Sequence, residues 1–393
     1  MTDGDRIVLL DGARTPIGDF GGALKDVPAH ELGAAAAKAA LQRSGVDGAD
    51  IDEVVMGCIG QVAGDAFNAR RVALAAGLPS SVPAYTVNRL CGSGLQAIWS
   101  GAMQIRCGSA DLVLAGGDES MSRMPFYDFG PRGSTRLGDR TLVDGTLSML
   151  TDPMRDMHMG ETAENVADRY GVSRPEQDEF ALRSQQRAAL AADAFAEEIV
   201  PVEVRTRRGV TVVSTDEHPR PGTTLETLSA LRPAFRPHGS VTAGNSSGIN
   251  DGGAAVVLTR ESVARERGLT ALVTLEAVVT AALEPSLMGY APTLALQKLF
   301  EKTGTTPDDI DVVELNEAFA AQAVAVIRDV KLDPEKVNPY GGAIALGHPV
   351  GATGAMLALR VAKHLARRDL ELGVVTMCIG GGQALAALFR RAS

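Results

Sequence analysis

Two stretches of the chain are copies of one pattern: Gly45-Val46-Asp47-Gly48-Ala49-Asp50-Ile51-Asp52-Glu53-Val54-Val55 and Gly304-Thr305-Thr306-Pro307-Asp308-Asp309-Ile310-Asp311-Val312-Val313-Glu314. Gly45 aligns with Gly304, Ile51-Asp52 with Ile310-Asp311, and Val54 with Val313. An amphipathic, helix-like stretch precedes each copy, Leu32 to Arg43 in one and Leu294 to Lys302 in the other. A buried-type β run follows each, Val54-Val55-Met56 and Val312-Val313-Glu314-Leu315.

The two halves continue to match outward from there. Ala84-Tyr85-Thr86-Val87 leads into a Gly-rich turn, Cys91-Gly92-Ser93-Gly94, and a helix through Leu95, Ile98 and Met103. In the second half Ile344 leads through residues 347–354, Gly-His-Pro-Val-Gly-Ala-Thr-Gly, into a helix with Met356, Leu357 and Leu359. Each half then has an apolar strand ending in glycine, residues 112–117 and 374–380. Short apolar strands alternating with helices predict βα units and mostly parallel sheets. The chain reads as two copies of one α/β domain packed together.

Residues 120–245 fall outside the repeat. They are rich in Arg, Gly, Pro and Met, and predict one helix from Arg174 to Glu198. So long an excursion predicts a functional insertion covering a site. The expected organisation is an N-terminal half over 1–119 completed by about 246–270, a loop domain over 120–245, and a C-terminal half over 271–393.

Bulk properties bound the function. With 393 residues, 45% hydrophobic and 22% charged, the chain has the composition of a globular protein of more than one domain. Its net charge of −10 argues against a general binder of nucleic acid or anionic membranes. Residues 205–236 nevertheless carry Arg205, Arg207, Arg208, Arg220, Arg232 and Arg236, a local basic stretch that suits an anionic small ligand. Four cysteines without CxxC spacing predict neither a disulfide framework nor a zinc site. Asp3 and Asp5 open the chain with no basic segment before an apolar run, and no apolar stretch reaches the roughly 18 residues of a membrane span. A cytoplasmic, reducing setting and no membrane insertion are expected.

Three positions can carry chemistry. Cys91 sits where a strand turns into a helix, and the unpaired N–H groups there are expected to lower its pKa. Position alone leaves a buried structural thiol equally open. His348 stands at the equivalent junction of the second half, so duplication would set an imidazole opposite the thiol across a pseudo-twofold axis. Cys378 stands at a strand end before Gly380-Gly381-Gly382, whose backbone N–H groups suit an oxyanion hole or form a plain turn.

At these residues the chain resembles the thiolase family. Residues 88–97, Asn-Arg-Leu-Cys-Gly-Ser-Gly-Leu-Gln-Ala, resemble its nucleophile motif. Asn316-Glu317-Ala318-Phe319-Ala320, residues 341–349 (Gly-Gly-Ala-Ile-Ala-Leu-Gly-His-Pro) and residues 377–382 (Met-Cys-Ile-Gly-Gly-Gly) resemble three more of its segments. Residues 158–165 and 245–252 match as well, so the likeness runs from about Arg14 to the end.

The resemblance implies the thiolase fold, a duplicated five-layer αβαβα architecture with an inserted loop domain, and a homotetramer of tight dimers. It implies that Cys91 attacks an acyl-CoA thioester, that His348 takes the thiol proton, and that Cys378 deprotonates acetyl-CoA. Asn316 would hold a water at the enolate, and the N–H groups of Cys91 and Gly380 would stabilise the tetrahedral intermediate. Asn316 could equally cap the helix that follows it. Along coenzyme A the resemblance points to Ser247, Phe235, Ala318 and Phe319, with Arg220 near the nucleotide and His158 near the thioester. Met159 and Met288 resemble pocket methionines of acetoacetyl-CoA thiolases, although core packing would use them too. Coenzyme A and its thioesters enter as substrates, with no permanently bound cofactor or metal.

Subfamily features are mixed. His158-Met159-Gly160 and Met288 resemble short-chain acetyl-CoA acetyltransferases. Residues 95–100, 105–108 and 116–123 are closer to β-ketoadipyl-CoA and fatty-acid thiolases. Two other classes compete: a decarboxylating ketoacyl synthase, expected to pair its cysteine with His–His or His–Asn, and a non-catalytic acyl-CoA carrier, which would not need three reactive groups.

Overall fold

Asp52 and Asp311 perform one task twice. Asp52 Oδ2 accepts from the N–H groups of Asp111 and Leu112 at 2.7 and 3.0 Å. Asp311 Oδ2 accepts from those of Glu371 and Leu372 at 2.8 and 2.9 Å. Each aspartate also donates its own N–H to the carbonyl of that second residue, Leu112 or Leu372, at 2.9 Å. The sequence repeat is therefore a repeat of strand starts, each pinned by one carboxylate. The computed structural model describes residues 5–61, 63–130, 137, 139–207 and 209–392. Asp3 and Arg208 lie outside them.

In the first half, β1 (Ile7–Arg14), α1 (Ala29–Ser44), β2 (Glu53–Gly57), β3 (Ala84–Val87), α2 (Ser93–Cys107) and β4 (Leu112–Ser120) come first, and β5 (Asn250–Arg260) returns after a long excursion. Within the excursion lie α3 (Met159–Tyr170) and α4 (Arg174–Ala189). The second half has β6 (Val273–Ala282), α5 (Ala291–Thr303), β7 (Val312–Leu315), α6 (Ala320–Val330), α7 (Thr353–Arg368), β8 (Leu372–Ile379) and β9 (Gln383–Arg391). Strand order is β3-β2-β4-β5-β1 in the first half and β6-β9-β8-β7 in the second. An isolated parallel bridge from Val313 to Val337 stands where β3 stands in the first half. Among the described residues, the pairs Val8–Thr274 and Leu9–Val273 join the two sheets, along β1 and β6.

Alternation along the strands builds the layers, because successive side chains point to opposite faces. Val113 and Ala115 of β4 face inward with Leu95, Ile98 and Ile105 of α2 and Leu357, Leu359 and Val361 of α7. Val375, Met377 and Leu385 reach the same cluster from the other sheet. Leu112 and Leu114 face outward onto α1, and Val374, Ala386 and Leu388 onto α5 and α6. The result is α, β, α, β, α, with α2 and α7 as the middle layer. Leu95, Ile98 and Ile105 are wholly buried, each contributing about 1.5–3 kcal/mol.

Three expectations change. The single helix over Arg174–Glu198 is two, Arg174–Ala189 and Ala192–Glu198, parted at Leu190 and Ala191. Leu190 is 89% exposed while Phe195 is buried, so the apolar face must turn between them. The sheets are mixed rather than mostly parallel: β2 pairs in parallel with β3 and β4, and β7 with β8, while β1–β5, β4–β5, β6–β9 and β8–β9 are antiparallel. The helix after Asn316 begins at Ala320 with Phe319 at its cap, so Asn316 does not cap it.

Candidate active site

The middle layer decides the site, because α2 and α7 meet at their N-termini. A Cβ on Gly94 would lie 2.7 Å from the Ala355 nitrogen, and one on Gly354 would lie 2.4 Å from the Leu95 nitrogen. Any side chain at either glycine would push the two helix starts apart. The loops that enter these helices, with Cys91 on one and His348 on the other, are thereby brought together. Cys91, Val350 and Gly380 line one cavity of about 520 Å³.

Cys91 is half-buried, one residue ahead of the Gly92 cap of α2. The preceding Leu90 has φ +48°, an unusual conformation for a branched side chain. The turn is held from within. Asn88 Oδ1 accepts from Leu90 N–H at 2.9 Å, and Ser93 Oγ accepts from Arg89 N–H at 2.9 Å while donating to Leu90 O at 2.7 Å.

The expected fall in the Cys91 pKa is overturned. Burial pushes the thiol up to about 11, against the N–H groups of Gly380 and Cys91 itself, which favour the thiolate. Nearby Glu119 raises it further. Desolvation outweighs two backbone dipoles, so the resting group is a thiol and needs a base.

His348 is buried and fixed at three atoms. Its N–H donates to Asn250 Oδ1 at 2.9 Å, and its Nδ1 lies 2.7 Å from Thr353 Oγ1. Thr353 spends its own proton on Pro349 O at 3.0 Å, so Nδ1 carries the hydrogen and Nε2 the lone pair. Asn316 Nδ2 faces that lone pair at 3.4 Å, and Asn316 Oδ1 is buried without a partner. Burial lowers the imidazole pKa to about 4, so the ring is neutral and able to accept a proton. Next to Asn316, Glu317 accepts from Ser184 Oγ at 2.6 Å, Asn338 Nδ2 at 2.8 Å and Ile344 N–H at 3.2 Å. One dipeptide thus faces the imidazole and ties down the turn that leads to it.

Cys378, one residue before the end of β8, is buried with Met288, Ala318, Phe319 and Ala321, and with Met159 and Phe235 against them. Burial holds its thiol well above the ordinary range, and neighbouring Cys91 adds to the effect. Gly380 follows in the turn to β9, among the residues lining the cavity.

The remaining positions divide. His158 stacks on Phe235 with ring centroids 5.0 Å apart, and Phe235 meets Phe319 edge-on at 6.0 Å. Ser247 N–H donates to Ala318 O at 2.9 Å, so these residues share one wall. Met159 lines the cavity; Met288 does not, packing instead against Cys378. Arg220 is exposed, its backbone N–H held by Gln185 Oε1 at 2.8 Å. Arg236 is committed to Asp168 and Asn165 at 2.6 Å each. Asn250, Thr353 and Glu317 received no role from sequence. Asn250 and Glu317 lie inside the quoted motifs, and Thr353 follows one by four residues.

Comparison with known proteins gives the family. Residues 7–262 match the family described as thiolase, N-terminal domain, and residues 269–391 match thiolase, C-terminal domain. An acetyl-CoA acetyltransferase of Pseudomonas aeruginosa is 45% identical over 98% of this chain and 99% of its own. The crystal structure of the Bacillus anthracis acetyl-CoA acetyltransferase superposes with TM-score 0.97 at 44% identity, covering 99% of each chain. Human mitochondrial 3-ketoacyl-CoA thiolase, solved in complex with CoA, superposes with TM-score 0.95 at 42% identity over 99% of this chain and 98% of that one. Matched in both halves and along nearly its whole length, the chain belongs to the thiolase family of acyltransferases.

Proposed function

We propose that this enzyme condenses acetyl-CoA units to acetoacetyl-CoA, and cleaves acetoacetyl-CoA with coenzyme A, through an acyl group carried on Cys91. The meeting of the two helix starts carries this reading, because it sets the Cys91 thiol, on the cavity wall, against the loop that holds the neutral His348 imidazole, with a second thiol, Cys378, as a neighbour of Cys91. His348 Nε2 takes the Cys91 proton as sulfur attacks the thioester carbonyl. The Gly380 and Cys91 N–H groups then receive the developing oxyanion, a role worth about 3–4 kcal/mol per donor in known cases. Cys378 takes the α-proton of the second thioester, and Asn316 with a water and His348 stabilises the enolate. Splitting the reaction at an acyl-enzyme gives ping-pong kinetics.

The wall of His158, Phe235, Ser247, Ala318 and Phe319 receives the pantetheine of coenzyme A, with Met159 close to the reacting carbon and Met288 packed behind Cys378. Arg220, exposed and unmatched by any ion pair among the described residues, serves the nucleotide phosphates. Residues 120–245 form the loop domain over this site, between halves at 1–119 with 246–270 and at 271–393. The enzyme works in the cytoplasm as a homotetramer, and the outer edge of β3 suits pairing with a second copy. No helix among the described residues is long and apolar enough to cross a membrane.

A second reading, toward longer 3-ketoacyl chains, is favoured by the cavity. Leu90, Met124, Met149, Leu150 and Met154 give it an apolar lining beyond what an acetyl group fills, and Met288 does not narrow it. Thiolysis of 3-ketoacyl-CoA esters from four to sixteen carbons by purified enzyme and coenzyme A separates the two readings. The first requires the highest kcat/KM on acetoacetyl-CoA. A maximum at six to ten carbons would establish the second, and no thiolysis at any length would reject both.

A further inference from the structure

Gln322 is wholly buried at the third position of α6, between the two groups that the reaction must coordinate. Its amide is oriented so that Nε2 donates to Asn316 O at 2.9 Å and Oε1 accepts from Ala323 N–H at 2.9 Å. The reverse orientation would set two oxygens against each other. The amide atom facing Asn316 also lies 3.6 Å from Cys378 Sγ. A primary amide nitrogen carries two hydrogens, so one satisfies Asn316 O and the other is free for the sulfur. The stem is held in place as well, since a Cβ on Gly289 would lie 2.7 Å from Gln322 Cβ. Around Cys378 the packing is otherwise apolar, from Met288, Phe319 and Ala321.

We infer that Gln322 is a positioning residue for proton transfer at Cys378, supplying the N–H that holds its sulfur as an anion in mid-reaction. The inference rests on the acyl-Cys91 reading above. When Cys91 is acylated, its proton passes to His348 and the Cys378 proton leaves on the expelled coenzyme A sulfur. Cys378 is then a thiolate facing an imidazolium. It takes the α-proton of the second thioester, whose C–H electron pair moves into the enolate. The enolate carbon attacks the acyl carbonyl, the carbon–sulfur bond to Cys91 breaks, and Cys91 recovers its proton from His348. In the interval the thiolate is surrounded by apolar side chains, where a hydrogen bond to a charged acceptor counts most. Because the same amide holds the Asn316 carbonyl, it also fixes the separation between Cys378 and the group beside His348.

The test compares wild type, Gln322→Met, which keeps length but has no donor, and Gln322→Glu, which donates only when protonated. Two steps are read separately: acetylation of Cys91 by acetyl-CoA, and exchange of α-deuterium from trideuterated acetyl-CoA into water. Gln322→Met is expected to slow exchange and condensation together by about 10–100-fold, and to slow Cys91 acetylation too, because that step also leaves Cys378 as a thiolate. Gln322→Glu should lose a similar factor at pH 8 and recover as pH falls toward 5.5, while Gln322→Met does not recover. A merely structural role would show no acid recovery in Gln322→Glu, and that result would overturn the inference. Unimpaired exchange in both variants, beside a normally acetylated wild type, would overturn it too. Failure of wild-type Cys91 to acetylate would instead reject the reading beneath it.

Discussion

The two helix-entry loops of the middle layer occupy equivalent places in the duplicated fold, yet they are held in opposite ways. The Cys91 turn is fixed by its own neighbours, Asn88 and Ser93, within a span of six residues. The backbone of the His348 loop is fixed from afar, by Asn250 nearly a hundred residues upstream and, through the preceding turn, by Glu317, while Thr353, five residues on, holds the ring. One turn presents a thiol at the floor of a cavity. The other buries an imidazole and sets its tautomer. A nucleophile must meet substrate, whereas a base must be desolvated and aimed, and each requirement selects its own kind of support.

Breaking the long-range side should cost most. His348→Ala removes the base for a thiol held near 11, and should lower kcat by about 10²–10⁴-fold in both directions. The same variant tests the acid side of stability. Burial depresses the folded imidazole pKa to about 4, below the ordinary value near 6.5. The folded state then binds fewer protons than the unfolded one, so stability is full above about pH 6.5 and is lost as pH falls toward 4. Urea midpoints measured from pH 7 to pH 4.5 should fall less steeply in His348→Ala than in wild type. An unchanged slope would place the acid sensitivity elsewhere.

Gly347→Ala attacks the same loop without touching its chemistry. Its φ of +99° is left-handed, and a Cβ there would lie 2.5 Å from the Asn250 side chain. The expected cost is about 1–3 kcal/mol of stability, with a fall in kcat from the displaced imidazole. A Tm and kcat both equal to wild type would show that the loop tolerates what its geometry forbids. On the short-range side, Ser93→Ala leaves Arg89 N–H without its acceptor and should cost about 1–2 kcal/mol, with a smaller loss of rate. If Ser93→Ala slowed turnover more than Gly347→Ala, the contrast between local and distant support would be reversed.

The same contrast explains what was legible in the sequence. The duplication could be read from Ile51-Asp52 and Ile310-Asp311 because a strand start pinned by its own carboxylate recurs as a short string. Cys91, His348 and Cys378 stood out because all three lie at strand or helix ends rich in glycine. The pKa of Cys91 was misread, since helix position is visible in sequence while the burial that outweighs it comes from residues far along the chain. Asn250, Thr353 and Gln322 gained meaning only when folding set them beside a ring nitrogen, a backbone N–H or a sulfur. Met288 matched a family position, yet only packing shows it against Cys378 and outside the cavity lining. The break at Leu190 was hidden because Ala, Gln and Arg continue as good helix formers across it.

The central claim is that Cys91 carries the acyl group and Cys378 only moves protons. Brief exposure to acetyl-CoA, intact-protein mass spectrometry and peptide mapping of the adduct test it most directly. One acetyl group on Cys91 is predicted in the wild type and again in Cys378→Ala, which should then condense it about 10²–10⁴-fold more slowly. An adduct on Cys378 in the wild type, or none on Cys91 in Cys378→Ala, would contradict the account.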